Sequence, residues 1–309
     1  MKPADRRRVF GRGSIFGRGC VLSLVAACAF LASPVAAQST LYPTDYVYLD
    51  IDGNPLPFQD KATILEALRT GDIIEREQMS RGVAKNIKLL LEFKHDRFEK
   101  AVCFNAVMRL IDVTEKEKTG SQRMVVKYRD SYIFESAAYE LSELLGIGRV
   151  PPTAERYAGE VGASVQIWME GTAPEDIMLK EGRLRPPDKT SWWKQKAIMW
   201  VFDALIANTD RNQGNLLIDE NWNLWLIDHT RAFRETSVLF DVEHLDMCER
   251  KLWTALLETD DETIRKRLEP YLTSGELTKL FLRKQKLIKH FNKRIKKHGE
   301  KKILYDLDP

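Results

Sequence analysis

The sequence predicts a two-lobed α+β protein with a strand-rich first lobe and a helical second lobe. Two observations carry that expectation. Segments of strand character dominate before about residue 170, and helical spacing dominates after it. The chain has 309 residues, 44% of them hydrophobic, which exceeds a typical single domain and supplies a sizeable core. The same composition excludes a disordered chain. The expected organisation is a leader over 1–37, a lead-in over 38–61, a first lobe over 62–169 and a second lobe over 170–309.

The leader differs from everything after it. MKPADRRRVFGRGSIFGRG is basic with Asp5 as its single acid, and the apolar run CVLSLVAACAFLASPVAA follows before the chain turns polar at Gln38. A basic start, an apolar run and the small residues Val35-Ala36-Ala37 form a signal-peptide pattern. Cleavage is expected after Ala37, with the mature chain outside the cytoplasm, periplasmic or secreted. The alternative is an uncleaved N-terminal membrane anchor, because a run of about 18 residues reaches the lower limit for spanning a bilayer. Residues 1–37 carry a net +5, so the whole-chain +3 becomes −2 once they are removed. That balance gives no argument for a nucleic-acid partner. Cys103 and Cys248 alone lie outside the leader, either as two core thiols or as one bridge, and form no disulfide framework. CxxC and HExxH are absent and the five His are scattered, so no zinc site is indicated.

The elements follow in order. Residues 61–72 (KATILEALRTGD) have helical spacing through Ile64, Leu65 and Leu68. GVAKNIKLLLEF and EKAVCFNAVMRL read as strands around the turn HDRF, and SQRMVVKY as another strand after the charged loop EKEKTG. Phe134 to Leu145 is amphipathic and helical, with Gly146 and Gly148 suited to end it. RVPPTAERY is extended because of its prolines, and ASVQIWME is a strand. PEDIMLKEGRLRPPDKTS reads as a loop, and SWWKQKAIMWVFDALIAN as a strong helix capped by Ser191 or Thr190. NLLIDENWNLWLID reads as a hairpin turning at Asp219-Glu220-Asn221. The remainder is helical. Residues 283–302 hold ten Lys/Arg and one Glu, with Leu280, Leu287, Phe291 and Ile295 on one face. This is either a last helix packed on its lobe with a solvated basic face, or a helix that meets a membrane surface or anionic partner.

Residues 202–233, FDALIANTDRNQGNLLIDENWNLWLIDHTRAF, set four Asp, two Arg and five Asn among apolar runs. Turn chemistry accounts for part of this, since Asn, Asp and Gly favour turns. The spacing offers more. Asp210 and Asn215 form an Asp–x4–Asn loop, and Asp228 ends the strand LWLID beyond a hairpin. That order serves phosphoryl transfer: the first Asp orients or deprotonates an acceptor hydroxyl, while the Asn and second Asp hold divalent metal against the phosphates. In MVVKYRDSYIFESAAYEL, Lys127 sits late in a strand and Glu135 eight residues on in the next helix, the strand-Lys and helix-Glu pairing that grips nucleotide phosphates. Gly82, in the turn before IKLLLEF, is the candidate for covering the phosphates through backbone amides, or is an ordinary turn. GxGxxG and Walker A loops are absent.

Lys127 and Glu135, YELSELLGIGRVPPT, QIWMEG, FDALIANTDRNQGN and LWLIDHTRAF together resemble the secreted atypical kinases. These are the Golgi casein kinase and sugar-kinase family with its bacterial homologues, related in fold to persistence-toxin and phosphatidylinositol kinases. The resemblance runs from about residue 62 to 255. It implies a bilobal protein-kinase-like fold, ATP and Mn²⁺ or Mg²⁺ as cofactors, and export. It implies Lys127 on the phosphates, Glu135 on Lys127 or a metal, Asp210 as catalytic aspartate, and Asn215 and Asp228 as metal ligands. By position, Gln166, Trp168 and Met169 belong to the hinge that meets adenine through its backbone. His229 stands where a standard kinase has Phe and reads as structural; Arg211 reads as a phosphate contact or a salt bridge to a nearby acid. The expected activity is transfer of the γ-phosphate to a hydroxyl of a protein, sugar or other small molecule. The alternative is a catalytically inactive kinase fold serving as a binding or scaffold module. A small-molecule antibiotic or toxin-type kinase conflicts with the leader.

Overall fold

The computed structural model describes residues 45–80, 86–118, 124–158 and 160–307. The leader and Gly82 lie outside the described residues. Helix α1 (Lys61–Thr70) starts at Asp60, whose carboxylate accepts the Thr63 amide, and buries Ile64 and Leu68 as their spacing predicts, with Leu65 half-buried and Ala67 buried beside them. Strands β1 (Asp72–Gln78), β2 (Ile87–Phe93) and β3 (Val102–Arg109) then pair antiparallel. β1 was not anticipated: DIIEREQ is mostly exposed and has no buried alternation to reveal a strand. β4 (Asp112–Lys118) and β5 (Met124–Ser131) form a separate two-stranded ribbon. The segment EKEK, expected as loop, is part of β4; cross-strand pairing overrides its low strand propensity.

Helix α2 (Ile133–Leu144) ends before Gly146 and Gly148, whose φ of 69° and 61° is the left-handed backbone their identity predicted. β6 (Thr153–Ala158) and β7 (Val161–Ile167) complete a five-stranded antiparallel sheet in the order β1-β2-β3-β7-β6. A two-residue β8 (Ala173–Pro174) leads into α3 (Glu175–Lys180), a helix inside the stretch expected as loop. α4 (Lys189–Ile206) is capped by Asp188, which accepts the Thr190 amide, and not by Thr190 or Ser191. β9 (Leu216–Ile218) and β10 (Leu224–Leu226) are the predicted hairpin, and Asp219 Oδ1 closes its turn by accepting from the amides of Asn221 and Asn223 at 3.0 and 2.8 Å. Helices α5 (Arg250–Glu258), α6 (Asp261–Leu268) and α7 (Ser274–His298) follow.

The apolar side chains gather in two clusters. One joins α1 to β2, β3, β6 and β7, and takes Trp225 from the hairpin. The other joins α4, α5, α6 and α7, and takes α2 from the first half of the chain. α7 buries Leu280, Leu287 and Phe291 along one face. Four of its cations serve its own lobe: Arg283 donates to the Leu205 carbonyl, Lys284 pairs with Asp261, Lys286 donates to the Ser237 carbonyl and Arg294 pairs with Asp246. Cys103 and Cys248 are both free thiols. Among the described residues no helix is long and apolar enough to cross a membrane.

Candidate active site

A cavity of about 690 Å³ lies between the sheet and the β9–β10 hairpin. Its lining includes Arg109 from β3, Gln166 to Met169 at the end of β7, and Asp210, Asn215 and Asp228. Three residues that sequence spacing placed in one reaction are therefore brought together in space.

The loop that presents Asp210 is built from its own asparagines. α4 stops at Ala207, whose φ of 52° and ψ of 45° turn the chain out of the helix. Asn208 then donates to Asp203 at 3.0 Å and accepts the Asp210 amide at 3.2 Å. Asn212 accepts the Gly214 amide at 2.9 Å and caps a single 3₁₀ turn over Gln213–Asn215. The Asn215 amide nitrogen donates to the Asp210 carbonyl at 3.0 Å, which turns its Oδ1 into the atom able to ligate a cation. Turn chemistry and site chemistry are thus the same residues.

Arg211 fixes this loop to the segment after β10 that carries Asp228. Its side chain is 7% exposed and grips both oxygens of Asp203 at 2.9 and 3.0 Å. Its Nη1 donates to the carbonyls of Asn215 and Ile227 at 2.8 and 2.7 Å. The two candidate metal ligands are therefore spaced by one guanidinium. Of the two sequence readings for Arg211, the salt bridge holds.

Asp228 has a φ of 60°, a left-handed backbone that costs energy for a non-glycine residue and that recurs at functional sites. It keeps some exposed surface, and the Thr230 hydroxyl donates to its Oδ1 at 3.4 Å. Desolvation raises its carboxyl above the usual range, and the Glu135 and Asp210 carboxylates push the same way against Arg109 and His229. A carboxylate in that setting is suited to a cation. Glu135, on the first turn of α2, is fully buried and goes the other way. Burial alone would raise it, but Arg109, 3.3 Å away, and the His229 hydrogen bonds bring it down to about 2. The His229 amide donates to Glu135 Oε1 at 2.9 Å, and His229 Nδ1 lies 3.3 Å from Oε2. Arg211 Nη2 lies 2.9 Å from His229 Nε2. An arginine only donates, so Nε2 accepts and Nδ1 carries the proton toward Glu135. His229 is structural, as expected, and joins α2 to the Asp210 loop.

The structure adds a strand cation that the sequence reading did not single out. Lys127 lies on β5, in the ribbon and outside the five-stranded sheet, and its side chain is outside the described part. Among the described residues, the cation beside Glu135 is Arg109, at the end of the central strand β3. Sequence reasoning missed it, although an arginine ending the apolar run AVM was its one signal. The segment expected as the hinge lines the same cavity. Gln166 is buried and donates to the Thr153 hydroxyl at 2.8 Å, and the Trp168 amide donates to the Asn105 carbonyl at 3.0 Å. Gln166 Oε1 accepts from Arg109 Nη1 at 3.4 Å, and Gln166 and Trp168 both line the cavity. The Met169 carbonyl accepts from Thr172 at 2.7 Å. Lys88 sits 4.9 Å from the Trp168 ring, a cation–π contact.

No protein-family model matches the chain, and no curated protein matches it. Solved structures do. The hydra Fam20 structure with sugar is 16% identical, with a TM-score of 0.57 over 79% of this chain and 92% of that one. The Golgi casein kinase is 15% identical, with a TM-score of 0.53 over 81% of each chain. The same kinase with Mn/ADP bound gives 15% and 0.53 over 82% of this chain and 81% of that one. These likenesses define the class: the chain has the α+β, kinase-like fold of the Golgi casein kinase and Fam20 structures.

Proposed function

We propose that this chain is an exported, metal-dependent kinase that transfers the γ-phosphate of ATP to a hydroxyl of a protein, sugar or other small molecule. The observation that carries the reading is the convergence of Asp210, Asn215, Asp228 and Arg109 on one cavity of about 690 Å³, a size suited to a small ligand. A Golgi casein kinase structure of this fold holds Mn and ADP. The residues here fit such a pair. Asp228 and Asn215 Oδ1 are hard oxygen donors held by one guanidinium, and Asp228 has a carboxylate that burial disfavours as an anion. When bound, Mn²⁺ or Mg²⁺ neutralises charge on the phosphates. Arg109 adds a fixed positive charge on the opposite wall, kept in place by Glu135. Asp210, 40% exposed at its side chain, is placed to accept a hydroxyl proton.

The test is nucleotide affinity and phosphoryl transfer measured together on the same protein with Mn²⁺ or Mg²⁺. Asp210→Asn should cut transfer by about 10²–10⁴-fold and largely spare nucleotide affinity. Full turnover in that variant would refute the assignment. A second reading, an inactive binding or scaffold module, is favoured by one observation: Arg231 pairs with Asp210 at 3.2 Å and occupies the candidate base. Wild-type protein that binds no nucleotide under either metal would leave only that reading. Export rests on residues 1–37, and N-terminal sequencing of protein from its native compartment should begin at Gln38; a cytosolic chain beginning at Met1 would overturn it.

A further inference from the structure

Arg231 lines the cavity three residues after Asp228. Its Nε donates to Asp130 Oδ2 at 2.9 Å and its Nη1 to Asp210 Oδ2 at 3.2 Å. The two carboxylates are not equivalent. The Asp130 side chain is 3% exposed, at the end of β5, where the Ser131 amide is tied to the Thr230 carbonyl at 2.8 Å. The Asp210 side chain is 40% exposed on a loop. Arg231 is therefore anchored at its Nε by a buried acid, while its Nη end rests on an accessible one.

That resting contact opposes the chemistry assigned to Asp210. The guanidinium occupies Oδ2, one of the two atoms that would accept the proton. The pair has to part before a hydroxyl proton can be taken. A terminal phosphoryl group offers the guanidinium more negative charge and three acceptor oxygens, in a geometry its planar fork matches. The anchor at Asp130 keeps the cation beside the same cavity while the Nη end changes partner.

We propose that Arg231 is a second phosphate-binding residue, which exchanges Asp210 for the terminal phosphoryl group of the nucleotide. The inference rests on the kinase reading. Without nucleotide, Arg231 holds Asp210. With a triphosphate present, its Nη atoms take terminal phosphoryl oxygens and Asp210 is released. In transfer, the acceptor oxygen bonds to the terminal phosphorus and the bond from that phosphorus to the bridging oxygen breaks. The diphosphate leaves with that electron pair, and the acceptor proton passes to Asp210. Arg231 supplies charge and forms no covalent bond.

A diphosphate lacks the group that Arg231 takes, so comparing two nucleotides isolates the effect. The experiment is calorimetric titration of the full chain in Mn²⁺ with ADP and with a non-hydrolysable ATP analogue. Arg231→Gln should weaken the analogue by about 10- to 100-fold, the range for a hydrogen bond to a charged group, and leave ADP affinity unchanged. Arg231→Lys, which keeps the charge but loses the fork, should shift the same ratio by less, and it serves if the Gln variant does not fold. Equal losses for both nucleotides, or no loss for either, would overturn the proposal and leave Arg231 as an ordinary ion-pair partner. Wild-type protein that binds neither nucleotide would overturn the kinase reading and this inference together. An unchanged ratio in variants of a wild type that binds both overturns this inference alone.

Discussion

Asp228 ends the apolar run LWLI, and its surroundings oppose its ionisation. A folded-state carboxyl raised above its unfolded value contributes stability below the unfolded carboxylate range, and that contribution is lost as pH rises through the folded value. At neutral pH only the cost of the buried anion remains. Asp228→Asn removes the charge and keeps the shape. The metal-free variant should therefore melt higher than wild type at neutral pH. Its affinity for ADP with Mn²⁺ should fall by at least about tenfold, the loss of one charge-assisted contact. Calorimetric melting and titration on the same preparation check both. A variant that melts lower and binds as wild type would remove Asp228 from the metal site. Opposite signs for stability and affinity are what separate a cation ligand from a merely packed carboxylate.

At the scale of elements, Glu135 shows how β3, α2 and the segment after β10 are tied. Its carboxylate meets Arg109 from β3 and the backbone and ring of His229, and His229 meets Arg211 of the Asp210 loop. Glu135→Gln leaves Arg109 buried without its counter-charge, and breaking such a pair costs about 3–5 kcal/mol. The pH dependence has the reverse sign to that of Asp228. Glu135 is held at about 2, below an ordinary value of 4.5. Its stabilisation is present above the unfolded value and disappears as pH falls from about 4.5 to about 2. Acid denaturation of wild type should steepen in that window, and the Gln variant should show a flatter curve there. Identical acid curves would mean that Glu135 is not the titrating group.

The same elements show what the sequence made legible. Asp210, Asn215 and Asp228 could be read because one loop and one hairpin set their separation, and short connections leave little freedom. Glu135 could be read from its place in the first turn of an amphipathic helix. Its partner could not. Lys127 lies on β5, which pairs with β4 in a ribbon, and its side chain lies outside the described residues. Arg109 reaches the site because β3 pairs with β7 in the middle of the sheet, a non-local contact that periodicity does not encode. α3 escaped notice because its six residues are too few to show a period. Asp188 was passed over as a cap because two other good capping residues follow it.

At the scale of the molecule, the cavity takes its walls from both apolar clusters. Arg109 and the end of β7 belong to elements packed in the sheet cluster, while Asp210 follows α4 in the helical one. Trp225 of the hairpin packs in the sheet cluster and α2 in the helical one, so each cluster includes an element from the other half of the chain. Unfolding either cluster must therefore dismantle the site. A ligand that bridges the walls then stabilises the whole described fold and not one part of it. At a free concentration a hundred times its dissociation constant, such a ligand adds about 2.7 kcal/mol. Melting of the protein with Mn²⁺ and saturating ADP should rise as one transition, monitored by tryptophan fluorescence and by circular dichroism. Trp225 packs in the sheet cluster, while Trp192, Trp200, Trp222 and Trp253 pack in or against the helical one, so fluorescence samples both walls and the far-ultraviolet signal mainly the helices. Two transitions of which ADP shifts only one would show that the nucleotide contacts a single wall. Coincident shifts in both signals are the outcome that requires Arg109 and Asp228 to act on the same ligand.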